Sequence, residues 1–171
     1  MNKLKKGWWA VALLAMVCLA AACGGDDDGV MDRPDRTQVR YKLSLGSGWL
    51  QLYNVTVDYR TADGQLKTHE MKEDNWEFED KVDGRYTRFT YRVTANAKRT
   101  TFDLNDSTVI ALLAKDKELT YTYEFNYYEK VNSAHRINPE AKGSIIKAGD
   151  VAAYVTAHPQ ITLLEHDIQV K

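Results

Sequence analysis

The sequence predicts a mostly β protein, an antiparallel β-sandwich with one short C-terminal helix. Apolar and polar residues alternate with a period of two through much of residues 38–130, which is typical of half-buried strands. Asp-Gly pairs separate some of these runs, and residues 149–158 have helical spacing just before Pro159. Strands with one apolar face bury it against a second sheet, which favours a sandwich.

The first two alternating runs, residues 38–45 and 49–60, predict two strands. Their apolar residues, expected to face the core, are Val39, Tyr41, Leu43, Leu45, Trp49, Tyr53, Val55, Val57 and Tyr59. The sequence Ala62-Asp63-Gly64 predicts a tight turn, because Asp and Gly tolerate positive φ. Residues 66–71 then form the returning strand.

Further strands follow along the chain. Trp76 and Phe78 alternate with acids in a short strand, and Asp83-Gly84 marks another turn. Two longer strands have as inward residues Phe89, Tyr91, Val93, Ala95 and Ala97, then Leu119, Tyr121, Tyr123, Phe125 and Tyr127. Residues 105–117 fit either a short helix capped near Asp106 or Ser107 or a buried strand. Residues 149–158 predict the C-terminal helix, with Asp150 as its cap, and residues 161–170 the last strand.

The first 22 residues predict a secretory signal peptide. Three lysines precede an uncharged run, residues 7–22, whose 16 residues fall short of the roughly 20 that span a bilayer as a helix. An uncleaved membrane anchor is the alternative. The only cysteines are Cys18 and Cys23, and cleavage before Cys18 is disfavoured because Val17 is bulky.

The end of this segment, Leu19-Ala20-Ala21-Ala22-Cys23, resembles the lipobox of bacterial lipoproteins. The resemblance implies that Cys23 receives a diacylglyceryl thioether and becomes the acylated N-terminus. Ala20 departs from the pattern, because family members usually carry a larger aliphatic residue there. Several buried acyl chains would anchor the protein to a membrane. With Cys18 removed and Cys23 lipidated, no disulfide forms within the mature chain.

Residues 23–37 predict the lipidated cysteine and a flexible acidic tether, ahead of a single domain at 38–171. The tether contains glycines, a proline and many charges without apolar periodicity. Asp26, Asp27 and Asp28 resemble the acidic export address of surface-exposed lipoproteins of the Bacteroidota. A solvated linker and, less favoured, a calcium site are the alternatives.

The charge of the mature chain excludes some partners. The full chain has 23 basic and 24 acidic residues. Loss of three lysines with residues 1–22 leaves 20 and 24, a net charge of −4. That sign argues against nucleic acid and against electrostatic binding to anionic lipid.

The aromatic residues and the acids form two candidate sites in the sequence. The aromatics suggest a sugar-binding platform, but their alternation favours core packing, with Tyr53 and Tyr128 expected to be more exposed. Six acids surround the predicted strand at Trp76, namely Glu73, Asp74, Glu77, Glu79, Asp80 and Asp83. They suggest calcium binding or a carboxylate pair for sugar hydrolysis, whereas a charged edge strand explains Glu77 and Glu79 more simply.

Other catalytic patterns are lacking in the sequence. The four histidines have no metal-ligand spacing, no serine lies in a G-x-S-x-G elbow, and no glycine-rich loop suits a phosphate. We therefore predict no enzyme activity, no metal and no cofactor. Asp106-Ser107-Thr108 resembles the O-glycosylation signal of exported Bacteroidota proteins, which makes Ser107 a candidate for modification. The same residues would also cap a helix.

As a whole, the chain resembles small β-sandwich outer-membrane lipoproteins of the Bacteroidota whose function is unassigned. The resemblance rests on the leader, the acidic tether and the strand, turn, strand pattern of residues 50–100. It implies a protein lipid-anchored in the outer membrane and exposed at the surface, with a periplasm-facing orientation as the alternative. The predicted function is a non-catalytic module that binds a protein or glycan partner. A structural accessory subunit of a surface or transport assembly is the alternative, and a hydrolase is the least favoured.

Overall fold

The computed structural model describes residues 36–130, 133–137 and 141–169, and every structural statement below concerns these residues. The predicted signal peptide, Cys23 and the tether as far as residue 35 lie outside them. In chain order the elements are β1 (Arg36–Leu45), α1 (Trp49–Leu52), β2 (Tyr53–Arg60), β3 (Leu66–Glu70), β4 (Asn75–Asp83), β5 (Arg88–Ala97), α2 (Ser107–Leu113), β6 (Lys117–Lys130), β7 (Ser133–Ile137), β8 (Lys142–Ile146), α3 (Val151–Ala157) and β9 (Gln160–Gln169).

Two antiparallel sheets pack against each other, which confirms the predicted β-sandwich with a short C-terminal helix. The first sheet has the strand order β4-β1-β6-β7, and β8 also pairs with β6. Strand β6 has 14 residues and pairs with both β7 and β8 on the side opposite β1, because each partner covers a different part of its length.

The second sheet has the strand order β3-β2-β5-β9. Its register shifts between Val93 and Thr94, which face Leu164 and Thr162 of β9, so Leu163 is an extra residue. Such a bulge breaks the alternation of the strand. As a result Leu163 and Leu164 are both buried, although they are neighbours in the chain.

Most of the core consists of the alternating apolar residues that the sequence predicted. The inward residues of β1, β2 and β5 are almost all fully buried, among them Val39, Tyr41, Val55, Val57, Tyr91 and Val93. The sheets are also joined by hydrogen bonds. The hydroxyl of Tyr41 in the first sheet donates to the carbonyl of Arg60 in the second at 2.7 Å. The hydroxyl of Tyr91 in the second sheet donates to the carbonyl of Lys42 in the first at 2.6 Å.

Several local expectations need correction. Trp49 was expected in a strand but begins the short helix α1, where its indole N–H donates to the carbonyl of Thr120 at 2.9 Å. Tyr53 was expected to be more exposed but is fully buried. Residues 105–117, left open by the sequence, contain the helix α2, whose N-cap Asp106 accepts a hydrogen bond from the N–H of Thr108 at 2.8 Å.

The two ends of the sandwich differ. Strand β1 begins at one end, beside Gly84, where the side chain of Tyr86 also lies near Gly64 of the β2–β3 turn. The described part of the chain therefore begins at this end. Helices α1, α2 and α3 lie at the opposite end, with the ends of β5 and the start of β6.

Candidate functional site

A groove of about 590 Å³ lies between β3 and β4. Each of these strands is an edge strand of its own sheet, and the two follow each other in the chain across residues 71–74. Met71 is buried and ties this connection to the core. The residues that line the groove are Thr68, His69, Glu70, Lys72, Glu73, Asn75, Trp76 and Glu77.

His69 and Trp76 connect the groove to the core. Their register partners, Val57 and Leu43, are buried, so both side chains belong to the inner faces of their sheets. Both are half-buried, and the rings stack with centroids 5.6 Å apart and planes inclined by 24°. The indole also packs against Tyr59, with centroids 5.1 Å apart. The indole face that His69 covers is therefore not open to a sugar ring.

One wall of the groove carries backbone groups that β2 does not use. The N–H of Met71 donates to the carbonyl of Val55 at 2.8 Å, which makes these two residues a hydrogen-bonded pair of the β2–β3 ladder. In an antiparallel ladder such pairs alternate with pairs whose N–H and C=O groups point away from the partner strand. The β3 residues whose backbone groups point away from the sheet are therefore Leu66, Thr68 and Glu70.

The opposite wall has the same property. The N–H of Leu45 donates to the carbonyl of Asp74 at 2.7 Å, which sets the phase of the β1–β4 ladder. The β4 residues whose backbone groups point away from β1 are then Asn75, Glu77, Glu79 and Lys81. Both walls thus present unpaired backbone donors and acceptors next to the groove, at residues 68, 70, 75 and 77.

The charged residues of β4 form ion pairs on the outer face of the first sheet. Glu77 lies 2.6 Å from Arg40 and 3.3 Å from Lys42, and Glu79 lies 3.1 Å from Lys81. The hydrogen bond from Arg40 is the main cause that lowers the pKa of the Glu77 carboxyl. A general acid for sugar hydrolysis needs a raised pKa instead. As the sequence suggested, β4 is a charged edge strand.

The six acids that the sequence singled out do not gather into one site. Asp80 accepts a hydrogen bond from the N–H of Ala62 at 2.9 Å and so links β4 to the β2–β3 turn. Asp83 pairs with Arg36 at 3.2 Å, and Glu73 lies at the groove. Within the described ranges, no three His, Cys, Asp or Glu side chains are arranged to hold a metal ion.

Two further candidate residues, Ser107 and Tyr128, lie outside the groove. Ser107 is the first residue of α2 and is exposed. Tyr128, in β6, is half-buried. Sequence reasoning missed the place of His69 in the groove, because its stacking partner comes from the other sheet and no local pattern marks that contact.

Comparison with protein families, with curated proteins and with solved structures found no match for this chain. In the part of the chain that the structure describes, no helix has the length and apolar character needed to cross a membrane.

Proposed function

We propose that this protein is a lipoprotein anchored through Cys23 in the outer membrane and exposed at the surface, and that its sandwich is a non-catalytic binding module. The ligand site is the groove between β3 and β4. One observation carries this proposal: two edge strands from different sheets lie on either side of an open groove of about 590 Å³. Edge strands and concave surfaces are recurrent binding elements of proteins.

The chemistry of the groove supports binding over hydrolysis. Glu77 is paired with two basic residues and has a lowered pKa, so it suits a permanently ionised role. A hydrolytic carboxylate pair needs one carboxyl group with a raised pKa. The lining side chains can instead donate and accept hydrogen bonds and form ion pairs with a ligand.

The distribution of the aromatic rings supports a site at the strand edges and not on an aromatic platform. Tyr41, Tyr53, Tyr91 and Phe125 are fully buried between the sheets. Among the residues that line the groove, Trp76 is stacked against His69. Ligand recognition in the groove then depends on polar side chains and on the free backbone groups of the two walls.

Photo-crosslinking in intact cells tests the site. A benzophenone amino acid replaces Lys72 at the groove in one strain and Asn96, exposed on the outer face of the second sheet, in another. We expect light-dependent adducts with the label at Lys72 and none at Asn96. Equal adducts at both positions, or none at either, would overturn the proposal. If the adducts contain one protein, and that protein co-purifies with this one in equal amounts, the result would favour the role of a structural accessory subunit.

A further inference from the structure

We propose that the groove takes an extended peptide segment rich in lysine or arginine, which adds to the free edge of β3. This inference rests on the proposed function, because it assigns a ligand class to the same groove. A peptide strand placed there would extend the second sheet beyond β3. Backbone hydrogen bonds would hold it, and its basic side chains would reach the groove carboxylates.

The edge of β3 has the spacing that a strand requires. Its outward backbone groups belong to Leu66, Thr68 and Glu70, two residues apart. Successive outward positions are then about 6.8 Å apart, twice the rise per residue of an antiparallel strand. A peptide strand repeats its own outward N–H and C=O groups at this interval, whereas a glycan does not. Leu66 is 56% exposed and offers apolar contact at the start of the edge.

The charge of the groove selects a basic ligand. Among the eight lining residues are three glutamates and one lysine, so acidic groups predominate. Glu77 is already paired with Arg40 and Lys42. Glu70 and Glu73 have no ion pair within the described parts of the chain, so their carboxylates are available to lysine or arginine side chains.

The same charge disfavours the chain's own tether as the occupant. Residues 24–35 contain five aspartates and a single basic residue, Arg33. A segment with a net charge of −4 would be repelled by the carboxylates of Glu70 and Glu73. The occupant we propose is therefore a separate peptide or an exposed segment of another protein.

Thr68→Pro is the central test, with Thr68→Ala as its matched control. Proline removes the N–H of residue 68, which points away from β2, so no ladder hydrogen bond is lost and an edge strand tolerates the change. Thr68→Ala removes the hydroxyl that donates to Asp58 at 2.6 Å but keeps the N–H. Thermal unfolding of each variant verifies that the fold is retained.

The probe is a phage-displayed library of random nonapeptides, selected on the full lipidated protein in detergent. We expect enriched peptides with two or more basic residues, no net negative charge and strong salt dependence. Their affinity should be at least about 10-fold lower for Thr68→Pro than for Thr68→Ala, a difference of about 1.4 kcal/mol, because both changes remove the hydroxyl but only proline removes the backbone N–H. Glu70→Gln combined with Glu73→Gln should also weaken them.

A second measurement works without any protein variant. Synthetic copies of an enriched peptide are N-methylated at every second residue, in both possible phases. A strand on an edge uses alternate N–H groups, so one phase should abolish binding and the other should retain it. Equal loss in both phases would contradict strand addition.

Several results would overturn the peptide assignment. These are enrichment of acidic peptides, no enrichment at all, or full binding to a folded Thr68→Pro variant. A dimer of this protein that dissociates on Thr68→Pro would show that a second copy occupies β3, which also overturns it. If adducts at Lys72 persist in any of these cases, the groove remains the ligand site and only the ligand class is wrong.

Discussion

Single tyrosine hydroxyls connect the two sheets inside an otherwise apolar core. Tyr41 and Tyr91 are fully buried, and each donates to a backbone carbonyl of the opposite sheet. Burial raises the pKa of both hydroxyls well above the ordinary value, so both remain protonated donors. A phenylalanine in either place would pack similarly but would lose a hydrogen bond that joins the two sheets. This explains why tyrosine occupies positions that alternation alone marks only as apolar.

We predict that Tyr91→Phe lowers the free energy of unfolding by about 1 kcal/mol, because one buried hydrogen bond is lost. Tyr86→Phe is the control, since Tyr86 is 37% exposed and its substitution should change stability by less than about 0.5 kcal/mol. Urea unfolding followed by fluorescence measures both. Equal stability of Tyr91→Phe and the unmodified protein would show that the hydrogen bond contributes nothing net.

Gly143 is a second residue whose identity follows from local geometry. It lies in β8 with φ of +104°, and a Cβ there would lie 2.0 Å from the carbonyl oxygen of Leu119 in β6. We predict that Gly143→Ala destabilises the protein by about 2 kcal/mol or more. Gly149→Ala should be nearly neutral, because nothing lies within 4 Å of a Cβ at that position. Similar unfolding midpoints for the two variants would contradict this assignment.

His166 gives the protein a defined response to acid. It lies on the inner side of β9, where its Nε2 is 3.1 Å from the Tyr123 hydroxyl. Burial is the main cause that lowers its pKa below the ordinary value of 6.5, and the charge of Lys142 acts in the same direction. The unfolded chain therefore binds the proton more readily than the folded chain. The stability that comes from neutral His166 is complete above about pH 6.5 and is lost as pH falls through the folded pKa.

We predict that His166→Gln reduces the dependence of the urea midpoint on pH between pH 7.5 and 5. The variant cannot take up the proton that destabilises the folded state in this range. Comparison of the two proteins at each pH separates this effect from that of the carboxylates, which both share. An unchanged slope in the variant would remove His166 as the source.

Among the elements, α2 has at its start a tripeptide, Asp106-Ser107-Thr108, that suits both a helix cap and a glycosylation signal. Asp106 caps the helix through its hydrogen bond to the N–H of Thr108, so the residues that resemble a glycosylation signal have a structural role as well. Ser107 remains exposed beside the cap, at the end of the sandwich opposite the start of β1. The cap and a glycan on Ser107 are therefore compatible.

If the resemblance to a glycosylation signal holds, Ser107→Ala abolishes a mass increment on the protein purified from its own host. The intact mass of the variant and the parent measures this directly. The alanine leaves the carboxylate of Asp106 in place, so the helix cap and the unfolding midpoint should be retained. An unmodified parent protein would leave only the structural role for this tripeptide.

The sequence predicts a strand where buried and exposed residues alternate along the chain. It does not predict elements that lack this alternation. Val39, Tyr41 and Leu43 alternate in β1 because one face meets the core along its whole length. The residues of β8 are mostly exposed, so no apolar period marked this strand. Trp49 was predicted in a strand because it is apolar like the inward residues that follow it. It is buried, as a strand residue would be, but it begins the single helical turn α1.

The groove depends on contacts that no local pattern encodes. The acids beside Trp76 drew attention to β4, but the opposing wall comes from β3 in the other sheet. The free backbone groups of Thr68 and Glu70 follow from ladder phase and not from residue type. The sequence could therefore predict a charged edge strand here but not the site that the two edges form.

For the molecule as a whole, the proposed lipidation of Cys23 would decide where the domain is located. If it carries lipid, the acyl chains hold the protein at the membrane. We predict that Cys23→Ser moves the protein to the soluble fraction or leaves it as an unprocessed precursor. Cys18→Ser is the matched control, because residue 18 would leave with the predicted signal peptide and its substitution should change nothing. Carbonate extraction of membranes and the mass of the N-terminal peptide measure the outcome. If Cys23→Ser stayed membrane-bound at the processed size, the anchor would lie elsewhere, and if Cys18→Ser alone released the protein, cleavage would occur before Cys18.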